Sequence, residues 1–253
     1  MNPVRWPALV VTIGLLMTGC SGGEPSDDSS ASPTPTEQLP LDDPGDGGEV
    51  TISQTGLSGL SDPAGRTMVD YAVVLSNSSA LVAADVTITV ALLDADGEPV
   101  VDQVNGTSVV SHRIPVVMPG DSAGLGHYTY VDEDVAELSV SVDTVHWWPV
   151  DNSRRPFAEL VVSEVSSRWA DDGAGEVEFT VGSGYADRLD RPDAVALFRD
   201  ADGTLLGGSG IGDYTDAAMP AGDSAHTITV DYAVPANADP NRTEVYAYPE
   251  RLS

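Results

Sequence analysis

From Glu49 onward the chain is written in short alternating runs. Val69, Tyr71, Val73 and Leu75 alternate with Asp70, Ala72, Val74 and Ser76. A period of two predicts a strand with one buried face, so Asp70 is expected on the solvent side. Val86, Ile88, Val90 and Leu92 alternate with Thr87, Thr89, Ala91 and Leu93 in the same way. Asp94-Ala95-Asp96-Gly97 then reads as a hairpin turn, because Asp and Gly tolerate the backbone angles it needs. Further strands are predicted at Pro99–Val104, at Val109–Val117 with a break at Pro115, at Ala123–Val131 and at Leu138–Val145, with a turn at Met118-Pro119-Gly120-Asp121. About seven strands in roughly 100 residues is the density of an immunoglobulin-like sandwich.

The pattern occurs twice. Val177, Phe179 and Val181 stand 106 positions after Tyr71, Val73 and Leu75, and Asp200-Ala201-Asp202-Gly203 stands 106 after the first turn. Met219-Pro220-Ala221-Gly222-Asp223-Ser224-Ala225 repeats Met118-Pro119-Gly120-Asp121-Ser122-Ala123, but Gly222 follows Gly120 by 102. The missing residues place a variable loop within Pro99–Val117. Ile228, Val230 and Tyr232 then fall opposite Gly126, Tyr128 and Tyr130. The expected fold class is all-β, with two tandem Ig-like β-sandwich domains spanning 49–150 and 156–253. Asp151–Arg155 is a polar joint short enough for the two to touch.

The first 48 residues have a different character. Arg5 precedes an apolar run from Leu9 to Met17, followed by Thr18-Gly19 and the sole cysteine, Cys20. A charged start, a short apolar run and small residues describe a secretory signal, and the run is too short for a spanning helix of about 20 residues. Met17-Thr18-Gly19-Cys20 resembles the lipobox of bacterial lipoproteins. That resemblance implies cleavage after residue 19, lipid attachment at Cys20, and an extracytoplasmic protein held on the outer face of the cell membrane. Two or three acyl chains anchor a protein far better than one. Residues 20–48 form a tether rich in Ser, Gly, Pro and acids. It cannot bury enough surface to offset the entropy of ordering, so disorder is expected there.

Val90-Ala91-Leu92-Leu93-Asp94, the Asp-x-x-Gly hairpin and the Pro-Gly-Asp-Ser turn together resemble the FxLYD domain, a small extracellular Ig-like sandwich of prokaryotic lipoproteins. Val and Leu stand where that pattern has Phe and Tyr, and Ala196-Leu197-Phe198-Arg199-Asp200 departs further. A telokin-like lipoprotein sandwich is the alternative. The resemblance implies fold and location and transfers no catalytic residues.

Charge and chemistry narrow the function classes. Acidic residues number 40 against 11 basic ones, a net charge of −29, which leaves no basic patch for nucleic-acid phosphates. Gly120-Asp121-Ser122-Ala123-Gly124 has the spacing of a nucleophile elbow, but that elbow needs a following helix, and alternation follows instead. No catalytic residue is assigned, and the chain is expected not to be an enzyme. Asp94, Asp96, Asp200 and Asp202 are weak calcium candidates, since hard cations favour clustered carboxylates, but the rest of a calcium loop is missing. No metal site and no cofactor are assigned. The four histidines read as surface or edge residues. Trp147 and Trp148, with Trp169, are the candidate binding residues, with packing at the domain junction the plainer reading. The expected function is a non-enzymatic, lipid-anchored cell-surface binding or structural module whose partner is an unknown envelope protein. A small-molecule, glycan or calcium-binding lipoprotein is the alternative.

Overall fold

The alternating runs become twelve strands in a computed structural model that describes residues 48–252, apart from 63, 153–155, 172, 173, 211, 216, 217, 232 and 233. The signal segment, Cys20, nearly all of the tether and part of the polar joint lie outside the described residues. The first module holds β1 (Val50–Ser61), β2 (Thr67–Asn77), β3 (Val82–Leu93), β4 (Val109–Val117), β5 (Ser122–Tyr130) and β6 (Glu137–Trp148). The second holds β7 (Leu160–Trp169), β8 (Gly175–Ser183), β9 (Asp193–Arg199), β10 (Leu205–Gly208), β11 (Gly222–Val230) and β12 (Glu244–Tyr248). Four antiparallel three-stranded sheets result: β1-β2-β5 and β4-β3-β6, then β11-β8-β7 and β10-β9-β12. The second six strands repeat the first in order and pairing. The chain is all-β, and its sheets pack in pairs as sandwiches.

The two hairpin turns are the same structure twice. Asp94 Oδ1 accepts the backbone N–H groups of Asp96 and Glu98, and Asp200 Oδ1 accepts those of Asp202 and Thr204. Gly97 and Gly203 close the turns with φ of 82° and 91°, a region glycine enters without steric cost.

The modules are not strung end to end. β2 is buried on both faces from Met68 to Leu75. Tyr71 points to β4, where its hydroxyl meets His112 Nε2 at 2.7 Å. Asp70, one residue earlier, points the other way, and its Oδ1 accepts the Gly208 N–H at 2.9 Å from the second module. β9 is likewise buried throughout. Val195 and Leu197 join the core of the first module, while Ala194, Ala196 and Phe198 join that of the second. The layers therefore run β4-β3-β6, β1-β2-β5, β10-β9-β12, β11-β8-β7. The expectation that Asp70, Ala72 and Val74 face solvent is corrected: a second sheet covers them.

Small residues make that contact possible. Gly56, Ala72 and Gly126 are register partners across β1, β2 and β5 and form a row with almost no side chain. A Cβ on Gly126 would lie 2.6 Å from the Gly208 carbonyl carbon, and one on Gly56 would lie 2.6 Å from Leu205 O. Leu205 thus meets β1, Gly207 meets Asp70 on β2, and Gly208 meets β5. β10 therefore runs along the row and across the strands of the first sheet, as in an orthogonal sheet packing. Further bonds cross the same seam. The Gly124 N–H donates to Tyr248 Oη at 2.8 Å, the Tyr248 hydroxyl donates back to Gly124 O, and Ser58 Oγ donates to Leu206 O at 3.0 Å.

Three local expectations change. Each module has six strands, because Pro99–Val104 makes isolated bridges (Leu93 with Pro99, Asp102 with Thr107) instead of a strand. Pro115 does not interrupt β4, which sits at a sheet edge where a missing N–H costs no ladder bond. Ile228 pairs with Val177 as His127 pairs with Tyr71, so Ile228 stands in the place of His127 and not of Gly126. A slip of one residue reverses which side chains face the core. The modules do differ within Pro99–Val117. The first has the nine-residue β4 along β3, and the second has only the four residues of β10 along β9 before its chain crosses to β11 through the Tyr214–Ile228 bridge.

Candidate functional site

The sequence singled out three tryptophans, and the fold separates them. Trp147 and Trp148 end β6, in the sheet turned away from the second module, opposite Ala83 and Val82. Trp147 packs against the core of its own module. Trp148 is half-buried, and its Nε1 has no hydrogen-bond partner among the described residues. Trp169 ends β7, at the other outer sheet. Its ring meets Phe198 edge-on at 5.4 Å between centroids and rests on Gly175, where a Cβ would come within 2.6 Å of it.

Trp169 also lines a cleft of about 650 Å³ where the two modules meet. The opposite wall is the end of β1, Ser58–Ser61, and Val234–Asn237 closes the third side. That volume lies in the usual range for small-molecule sites, and one aromatic wall with Ser, Asp171 and Asn237 nearby suits a partly polar ligand. The cleft joins segments more than 100 positions apart in the chain, so spacing along the sequence carried no sign of it.

The four histidines, expected at surface or edge positions, differ in burial, and His112 lies on the edge strand β4. His146 is exposed, but His112 and His226 are buried and His127 is half-buried. His127 pairs with Tyr71 and turns toward the first core, and its ring centroid lies 5.1 Å from that of His112. Burial first, then the neighbouring His127, push the His112 imidazole down to about 3, against a smaller upward pull from Asp102. Burial lowers His127 as well. Both rings are neutral spacers of a core, and the two His127 nitrogens have no hydrogen-bond partner among the described residues. In the second module His226 Nε2 lies 2.7 Å from Ser224 Oγ and Nδ1 lies 3.0 Å from Tyr214 Oη, one ring nitrogen donating and the other accepting. Both nitrogens are occupied, which makes a satisfied core histidine. The serine of the elbow-like stretch, Ser122, meets Ser76 Oγ at 3.1 Å instead.

One built loop was invisible in the sequence. Asp102 is buried, and its carboxylate accepts the Thr129 hydroxyl, the Val104 and Asn105 N–H groups and the Asn105 side-chain amide. Burial alone would raise its pKa, but these bonds outweigh burial and hold it below the ordinary carboxylate value. The loop so fixed presents Val101 and Val104 to solvent.

The weak calcium candidates stand where the turns put them. Asp94 and Asp200 spend Oδ1 on backbone N–H groups, and the four carboxylates divide between two separate turns. Among the described residues no group of three or more His, Cys, Asp or Glu side chains is arranged to hold a metal ion. Comparison with protein-family models, with curated proteins and with solved structures returned no match.

Proposed function

We propose that this chain is a lipid-anchored, non-enzymatic protein of the cell envelope, whose two Ig-like, FxLYD-like sandwiches act as one rigid head that binds or spaces other envelope components. The observation that carries the anchor is the single cysteine, placed directly after Met17-Thr18-Gly19 at the end of a short apolar run. The Ig-like reading is supported by strand pairing. β1-β2-β5 with β3-β6 opposite matches the A-B-E and C-F strands of an immunoglobulin sandwich. The rigid head is supported by the glycine row, which brings the two backbones together over a broad face. An unknown envelope protein is the partner on this reading, approached through end loops such as Val101–Thr107 or through open sheet edges. The test is Cys20→Ser. The variant is expected to leave the membrane fraction and appear soluble, while retention in membranes would refute the anchor.

A second reading is favoured by the cleft at Trp169: a lipoprotein that holds a small molecule or glycan. Indole fluorescence of the chain should then change on titration with cell-wall oligosaccharides, and Trp169→Ala should abolish that binding while Trp147→Ala leaves it. Equal binding by both variants would remove the cleft from consideration.

A further inference from the structure

The seam between the modules holds a carboxyl group that has no ordinary reason to be there. Asp70 is fully buried, and its Oδ1 accepts the Gly208 N–H at 2.9 Å. Its Oδ2 has no hydrogen-bond partner among the described residues. It is pressed against Gly207, where a Cβ would lie 2.1 Å from it. A single amide donor does not compensate a carboxylate taken out of water, whereas a carboxylic acid is far cheaper to bury. Along the same seam Asp213 Oδ2 accepts the Gly210 N–H at 2.7 Å, and the Tyr128 ring lies against Gly210.

We propose that Asp70 is a proton-operated latch: with a proton on its carboxyl the modules stay closed, and opening along the Gly56–Ala72–Gly126 row releases that proton to water.

Of the groups around it, Asp213 favours the neutral acid and the Gly208 N–H opposes it. Ser58 and Tyr128 flank Asp70 in register on β1 and β5, Tyr71 follows it on β2, and Asp213 approaches from the second module, with Asp231 acting on Asp213 and Tyr128. The cations on the packed elements are engaged elsewhere. Arg199 is held by Glu244 and Gln54, and Arg66 by Asp62 and Tyr130. Burial raises Asp70 well above the ordinary value of 3.8, Gly208 opposes this, and Asp213 adds to it. Burial also raises Asp213, to about 7. Groups with raised folded values favour the closed form at low pH. The closed form must therefore lose stability as pH rises from 3.8 toward the folded values, a window that for Asp213 ends at about 7. Below that window the latch is fully set.

Two measurements on the full chain test this. The first follows the Asp70 side-chain carboxyl carbon by NMR. Its titration midpoint is expected well above 3.8, and an ordinary carboxylate midpoint would overturn the proposal. The second follows hydrogen exchange at the Gly208 and Gly124 N–H groups, which bond across the seam. Over the window the opening equilibrium should grow by about tenfold per pH unit for each proton released, beyond the rise that hydroxide imposes on every amide. Asp70→Asn keeps an oxygen for Gly208 and has no proton to lose, so the Asp70 share of that excess should vanish. An undiminished excess in Asp70→Asn would refute the latch. The difference between the two chains also cancels His112 and His127, whose lowered values make the first module weaker in acid, the opposite direction. If Asp70→Asn does not fold, the carboxyl signal of the unaltered chain still decides.

Discussion

Replacing Gly126 by valine is expected to part the two modules, at a cost of about 3 kcal/mol, the upper end of the range for forcing extra carbon into a packed interior. Intrinsic preference points the other way. Valine suits a strand better than glycine by up to about 1 kcal/mol. Position 126 reverses that preference because the atom in the way is the Gly208 backbone, which has no rotamer to change. Gly59, on β1 of the same sheet, is the internal control. A Cβ there meets nothing within 4 Å, so Gly59→Val should be neutral or mildly stabilising. Denaturant unfolding should show the Gly126 variant melting early or in two steps and the Gly59 variant melting as the unaltered chain does. Equal midpoints for the two variants would mean that the sheets do not meet at this row in solution.

Asp102→Ala is expected to destabilise the first module by about 3 kcal/mol, since the buried Thr129 hydroxyl and three part-buried donors lose a charged acceptor, a loss of about 1–3 kcal/mol for a buried donor and less for those that relax toward water. Thr129, on β5, would be left with a buried hydroxyl, and the Val104 and Asn105 N–H groups would lose their anchor. Protease cleavage within Val101–Thr107 should rise together with the fall in melting temperature. Asp102→Asn should fall between the two, because one oxygen remains to accept. A variant that melts normally and resists cleavage would show that the loop is held by something other than this carboxylate. The pH dependence has a definite sign. A folded value below 3.8 means that Asp102 contributes its full stability above that pH and loses it only as the solution becomes more acid. Just above pH 3.8 it is therefore ionised while Asp70 still holds its proton. Both residues are closed to solvent, but Asp70 lies deeper and has fewer donors, one against four for Asp102.

That contrast shows how far the chain could be read before folding. The alternation around Tyr71 and around Phe179 gives strands, and the equal spacing of Asp94 and Asp200 gives two copies of one turn, realised with the same hydrogen bonds. Such features are local. They depend on residues within a few positions of one another, and period and turn chemistry report them directly. Asp70 was placed on a solvent face by the same rule, and the rule failed because it assumes one buried face per strand. A strand covered on both sides normally reads as a continuous apolar run. β2 disguises its double burial with an aspartate and an alanine on the second face, and β5 disguises its own with Gly124 and Gly126. Trp169 was named from sequence as a companion of Trp147 and Trp148, from which the fold separates it. It gained a cleft from β1 that no spacing in the chain announces.

The sequence by itself determined the alternating strands such as β2, β3 and β8, the two repeated turns and the place where the modules differ, because backbone geometry and side-chain alternation act over short distances. Only the tertiary structure decided that β1-β2-β5 and β10-β9-β12 lie face to face, that Gly56, Ala72 and Gly126 form one row, and that a carboxyl group is enclosed at its edge. These depend on which surfaces meet. Glycine and alanine leave room for close approach without stating what fills it, so the filling sheet becomes visible only when the chain has folded.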